Sequence, residues 1–150
     1  MLNNSDENKK NKLRVAIGII WNQERSEILI SLRPLDKELG GLWEFPGGKV
    51  ELIGDCLEGD VNALIRELAE ELGIYVINCE HWLDLSYQYK NKQGTNKHVD
   101  LVVYDVWDFE GIPEGLEGQE IKWIKLEDFK PDQFPAANII LIDKLKQRLG

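Results

Sequence analysis

An α/β sandwich built on a mixed β-sheet is the architecture that this chain of 150 residues predicts. Three observations lead there. Runs rich in β-branched residues lie on both sides of one strongly amphipathic helical stretch, a second helical pattern closes the chain, and no repeat or linker divides it. The length suits one domain, large enough to bury roughly 68–70% of its unfolded surface without disulfides or metals.

Residues 1–12 (MLNNSDENKKNK) are polar and charged with no apolar centre, which predicts a frayed tail and no signal peptide, and leaves residues 13–150 as the domain. Residues 13–21 (LRVAIGIIW) and 28–32 (ILISL), separated by a polar turn at 22–26, predict a hairpin that Arg33 and Pro34 end. Between residues 34 and 59, Gly40, Gly41, Gly47, Gly48, Gly54 and Gly59 give more backbone freedom than regular elements use. A long functional loop is therefore expected. Residues 61–72 form the first helix, and 74–79, 82–89 and 99–107 read as strands, the last two joined by a basic turn at 90–97. A short strand at 121–124 and a closing helix at 136–149 (AANIILIDKLKQRL), with Pro135 suited to its first turn, complete the order.

Composition excludes several functions. With 27 acidic and 18 basic residues, a formal net charge of −9 does not suit a nucleic-acid polymer, which is held by clustered Lys and Arg. Small phosphates stay accessible through a divalent cation. No apolar run approaches the ~20 residues of a membrane span. Cys56 and Cys79 lack zinc-type spacing and scaffold density, and predict reduced, packed thiols in a cytoplasmic protein. His81 and His98 are isolated, with no second ligand at helical spacing.

The first helix poses the chemical question. At about 100° per residue, Val61, Leu64, Ile65, Leu68 and Leu72 make one stripe directed at the core, and Glu71, Glu67 and Glu70 follow around its flank. Arg66, four before Glu70, is the one basic partner at helical spacing. Glu67 and Glu71 face each other at i, i+4, where like charges cost ~0.2–0.5 kcal/mol in an isolated helix. Beside low-dielectric core, carboxylates about 4 Å apart repel by several kcal/mol at an effective dielectric near 20. A hard divalent ion relieves this, and oxygen ligands on one helix face suit Mg²⁺. These residues alone leave two readings, a metal site or a charged surface face.

The flanks carry a resemblance. LWEFPGGKVE (42–51), followed by EGDVNALIRELAEELGI (58–74), resembles the signature of the Nudix hydrolases: Gly, five residues, Glu, seven residues, then Arg-Glu-hydrophobic-any-Glu-Glu-any-Gly-hydrophobic. Glu58 precedes Arg66 by the required seven residues, and Arg66, Glu67, Leu68, Glu70, Glu71, Gly73 and Ile74 match. One spacing departs. Nine residues separate Gly48 from Glu58 where the family has five, an insertion of four around 52–57; Asp55 competes as the loop acid, but Glu58 keeps the gap to Arg66. Outside the signature, SLRPLDKELGGLWEFPGGK (31–49), GLEGQEIKW (115–123) and FPAAN (134–138) are similar to the MutT-type 8-oxo-dGTP diphosphatase branch of that family. Residues 86–109 keep only general similarity, with a longer basic turn.

The resemblance implies a Nudix α/β/α sandwich and a Mg²⁺-dependent pyrophosphohydrolase, with Mn²⁺ able to substitute. It assigns metal ligation to the Gly47 carbonyl, Glu67, Glu70, Glu71 and Glu117, and the general base to Glu67 with Glu117 second. Arg66, with the loop acid Glu58, would hold a glutamate in place, and Lys49 would neutralise phosphate charge. Arg33, Glu44, Phe45, Lys49 and Asn138 are the implied substrate contacts. An Asn side chain offers both a donor and an acceptor, so Asn138 can read a purine edge that presents both. The implied reaction is attack of water at the β-phosphorus of 8-oxo-dGTP, giving 8-oxo-dGMP and pyrophosphate, by a monomer acting on a small nucleotide. Two alternatives stand beside it. One is a Nudix hydrolase of another dNTP, ADP-ribose or a dinucleoside polyphosphate; the other is a silent binding module, which would be expected to lose the acids that this chain retains.

Overall fold

Alternation at period two decides where the faces of the first strand point. The computed structural model describes residues 12–37, 39–90 and 93–149, and residues 1–11 of the expected tail lie outside them. Lys12, assigned to the tail, already pairs with His98 as the first residue of β1 (Lys12–Ile20). Then come β2 (Glu27–Leu32), β3 (Trp43–Glu44), β4 (Gly47–Lys49), β5 (Leu52–Ile53), β6 (Cys56–Leu57), α1 (Asp60–Leu72), β7 (Tyr75–Lys90), β8 (Asn96–Glu110), β9 (Ile121–Lys125) and α2 (Ala136–Leu149). Among the described residues, no helix is long and apolar enough to cross a membrane.

The main sheet is mixed, in the order β4-β1-β8-β7. β1 runs parallel to β8 and antiparallel to β4, and β7 is antiparallel to β8. A second sheet has the order β3-β2-β9, and β5 pairs only with β6. On one face of the main sheet Ile17, Ile19, Leu101 and Val103 pack with Leu141, Ile142 and Leu145 of α2 and with Phe45, Phe129 and Phe134. On the other, Ala16, Ile20, Val102, Tyr104 and Val106 pack with Ala63, Leu64, Leu68 and Leu72 of α1. β1 and β8 thus each feed a helix on either side, which is the α/β/α arrangement.

Four expectations change. The first two strands do not form a hairpin: a single bridge, Trp21 to Ile28, joins them before they enter different sheets. Both edges of β1 are taken by β4 and β8, so β2 finds no free edge there. Residues 34–59 hold four short strands where one loop was expected. The predicted strands at 74–79 and 82–89 are one strand, β7, whose register shifts at Val76/Asn78, Asn78/Cys79 and His81/Leu83 interrupt the apolar alternation. Finally, α1 is rolled away from its apolar stripe. Val61 and Ile65 are 38% and 36% exposed, while Ala63, Leu64, Leu68 and Leu72 are buried, and this roll carries Glu67 and Glu71 toward the interior.

Candidate active site

β4 lies against β1 with no room for side chains at its first two positions. A Cβ on Gly47 would strike the Ala16 carbonyl, and one on Gly48 would overlap the Glu67 carboxylate. The second contact matters chemically: Gly48 is what lets an acid of α1 reach the loop backbone.

Arg66 ties that loop to the helix. Its Nη2 donates to Glu58 Oε1 at 2.5 Å and to the Lys49 carbonyl at 3.0 Å, and its Nε donates to Glu58 Oε2 at 3.3 Å. Its Nη1 donates to Glu67 Oε1 at 3.0 Å and Glu70 Oε2 at 3.4 Å. Glu58, buried, is held below the usual carboxylate range by Arg66 and by the backbone N–H of Glu51. Glu58 first, and then Glu67, raise the Arg66 pKa further. Asp55 takes no part in this fork, so the loop acid is Glu58.

The insertion is pinched off at its base. Glu58 N–H donates to the Glu51 carbonyl at 2.8 Å, and Glu51 N–H donates to Glu58 Oε1 at 3.0 Å. Between them β5 and β6 form a small hairpin turning at Gly54. The extra residues project away and the Glu58–Arg66 fork is preserved.

Around the C-terminal half of α1 the charge is not balanced. Burial raises the Glu71 pKa to about 9, with further contributions from Glu67, Glu117 and Glu44 and a hydrogen bond to Glu67. Burial also raises Glu44, against the pull of Arg33, whose Nη1 lies 3.4 Å from Glu44 Oε2. Glu117 arrives on the loop between β8 and β9, exposed, with its field reaching Glu71. The Glu70 side chain is 60% exposed and leans toward Arg66, and Lys49 is exposed at the rim. Among the described residues no three His, Cys, Asp or Glu side chains converge as a ready-formed ligand set. Arg66, bonded to both Glu67 and Glu70, holds those two on its own side. The donor chemistry nonetheless fits a hard divalent cation: every candidate is oxygen, and Arg66 and Arg33 neutralise only part of the negative charge of the cluster.

On the opposite face of the main sheet, Asn138 in the first turn of α2 is buried, and its Oδ1 accepts the Phe45 N–H at 3.1 Å. Among the described residues its Nδ2 has no protein partner. Half-buried Val15, Leu85 and Val99 extend the apolar cluster that contains Phe45.

The sequence profile of the NUDIX domain matches residues 16–144. The chain belongs to the Nudix family. It is 39% identical over 136 residues to the 8-oxo-dGTP diphosphatase of Escherichia coli (strain K12), a match covering 91% of this chain and 98% of that one. The CTP pyrophosphohydrolase of the same strain is 34% identical over 131 residues, covering 87% and 89%. A solved structure from work on MutT of Aliivibrio salmonicida and Vibrio cholerae matches with a TM-score of 0.71 and 34% identity, covering 91% of this chain and 98% of that one.

In this Nudix hydrolase the predicted residues fall into two groups on opposite faces of one sheet. Gly47, Gly48, Glu58, Arg66, Glu67 and Glu71 meet between β4 and α1, with Glu44 and Glu117 contributing charge; Phe45 and Asn138 meet on the α2 side. Glu44 and Phe45, adjacent in sequence, link the two. The reading from sequence did not bring Val15, Leu85 and Val99 to the apolar cluster that contains Phe45. Period two along β1, β7 and β8 was the available signal, but it required the register between strands far apart in the chain.

Proposed function

We propose that this Nudix hydrolase converts 8-oxo-dGTP to 8-oxo-dGMP and pyrophosphate, using Mg²⁺ or, in its place, Mn²⁺. One observation carries the chemistry: Glu71 sits among Glu67, Glu117 and Glu44, its carboxyl driven up to about 9. Such a cluster is stable with a proton or with a cation. Similarity to the Escherichia coli 8-oxo-dGTP diphosphatase along nearly the full length of both chains supports the substrate.

The Gly47 carbonyl, Glu67, Glu70, Glu71 and Glu117 are the residues that would hold the ion. When bound, the ion supplies positive charge for the phosphate oxygens and makes water easier to deprotonate. Glu67 accepts the proton of the attacking water, and Arg66, fixed by Glu58, keeps that carboxylate against the glycine loop. Water attacks the β-phosphorus, the bond to the α-phosphate oxygen breaks, and the nucleoside monophosphate leaves. Lys49 offsets the charge of the polyphosphate, with Arg33 and Glu44 at the edge of the site. The base lies on the apolar face beside Phe45, where the Asn138 Nδ2 donates to an acceptor on the purine edge. The acidic chain, with both cysteines free, acts as a cytoplasmic monomer.

The test is kcat/KM with Mg²⁺ for 8-oxo-dGTP, dGTP, other dNTPs, CTP and ADP-ribose. Preference for 8-oxo-dGTP is expected; preference for CTP or ADP-ribose would move this chain to another branch. Asn138→Asp keeps the acceptor for Phe45 N–H and loses the Nδ2 donor. It should lower discrimination between 8-oxo-dGTP and dGTP by about tenfold or more, and equal losses on both would end the base-reading role.

A further inference from the structure

The loop that carries Glu117 has no regular secondary structure, yet it presents an acid to the charged end of α1. Three donors from this loop fasten it to carbonyls that the helix end leaves without intrahelical partners. Glu114 N–H donates to the Leu72 carbonyl and Leu116 N–H to the Glu71 carbonyl, each at 3.0 Å. The third donor is a side chain: Gln119 Nε2 reaches the same Glu71 carbonyl at 3.0 Å. Its other terminal atom, Oε1, accepts the backbone N–H of Glu117 at 2.9 Å. The turn closes tightly beneath it, with Gly118 N–H donating to the Gly115 carbonyl at 3.0 Å. A Cβ on Gly115 would collide with the Gln119 carbonyl.

We infer that Gln119 is a positioning residue for Glu117, its amide clamping that acid's backbone to the end of α1 where Glu71 stands. The inference rests on the proposed role of Glu117 in the acid cluster. The chemistry of the amide explains why it suits the task. One rigid plane supplies a donor for the helix carbonyl and an acceptor for the Glu117 N–H, so the two partners are held at a set separation. A hydrocarbon of equal length offers neither, and a carboxylate offers only the acceptor. Leu116 N–H remains on the Glu71 carbonyl when Gln119 is lost, so the helix end stays capped and the loop stays attached. What is released is the backbone of Glu117 itself. Displacement of a reacting group by about 1 Å can cost up to about 100-fold in rate.

The experiment is a double-mutant cycle with an independent structural readout. Gln119→Met, Glu117→Gln and the double variant are assayed for kcat and KM on the best substrate of the panel. Exchange of the Glu117 amide is followed by NMR in the metal-free parent and in Gln119→Met. The expected result is a kcat about tenfold lower in Gln119→Met, with KM within about twofold and faster exchange at Glu117. In the Glu117→Gln background, Gln119→Met should cost nothing more, because a group acting only through Glu117 has nothing left to position. Losses that multiply across the cycle, or unchanged exchange at Glu117, would overturn the inference. If Gln119→Met does not fold, Gln119→Glu enters the same cycle, since it keeps the acceptor for Glu117 N–H and loses only the donor. Full kcat in Glu117→Gln would remove Glu117 from the proposed mechanism and this inference with it. Slow turnover in Glu117→Gln with additive losses at Gln119 would remove the inference alone.

Discussion

Asp105 and Glu71 are both withdrawn from solvent in this fold, and they are treated in opposite ways. The Asp105 side chain is 7% exposed, and donors surround it. Trp21 Nε1 reaches it at 3.0 Å, and Arg148 grips it with Nη1 at 2.8 Å and Nη2 at 3.0 Å. Arg148 also lies 4.3 Å from the Trp82 ring centre. This network joins the end of α2 to Trp21 just beyond β1, to β7 and to β8. Glu71 instead has Glu67, Glu117 and Glu44 for neighbours and is driven toward its protonated form. Where the chain supplies its own counter-charge, the carboxylate serves structure. Where it withholds one, the proposed function sets the carboxylate aside for a ligand.

The largest expected effect separates the two most sharply. Glu67→Gln removes the proposed proton acceptor, and kcat should fall about 10²- to 10⁴-fold while circular dichroism shows an intact fold. Full turnover would put the acid cluster on the same footing as any charged surface.

Next comes the pH dependence of stability without metal. The folded pKa of Glu71, about 9, stands above the ordinary value of 4.5, so the folded protein binds a proton that the unfolded chain releases. Stability from this group is fully present below about pH 4.5 and is lost as pH rises through about 9. Melting temperature in metal-free buffer should therefore decline across that window. Glu71→Gln, or saturating Mg²⁺, should flatten the decline; an identical slope in parent and variant would contradict the assignment.

Arg148→Met probes the compensated side. It strands Asp105 with Trp21, and urea denaturation should show a loss of about 2–3 kcal/mol, with kcat within about twofold of the parent. A large fall in kcat would mean that the two regions are coupled. The smallest effect is expected from deleting residues 53–56. The remaining Glu51–Leu52–Leu57–Glu58 turn can close through the same Glu58 N–H to Glu51 carbonyl bond, so stability should change by no more than about 0.5 kcal/mol. An altered KM would give the hairpin a role in binding.

The elements that were legible in sequence are those whose signal is local. α1 and α2 follow from periodicity, and the Glu58 to Leu72 stretch carries its chemistry in fixed spacing. Partners distant in sequence were not visible in the same way. Asn138 and Phe45 stand 93 residues apart, and Arg148 and Asp105 stand 43 apart; nothing in either neighbourhood announces the other. The lone Asp within the apolar run of β8, Asp105, was passed over in the reading of the sequence. β7 was read as two strands because its bulges break the alternation that marks a strand.

By itself, the sequence determined the α/β class, the family and the acids that α1 carries, because each depends on residue type at short separations. Tertiary structure decided how α1 is rolled, and so which of its acids are half-buried. Apolar periodicity pointed Val61 and Ile65 inward with Leu64, but the sheet seats Leu64 against Gly18, whose missing side chain leaves only 3.4 Å between a would-be Cβ and Leu64, and Ala63 is buried in place of Val61 and Ile65. Close packing of a helix on a sheet is a property of both surfaces together. That fit turned Glu67 and Glu71 toward the interior and left Glu70 in solvent.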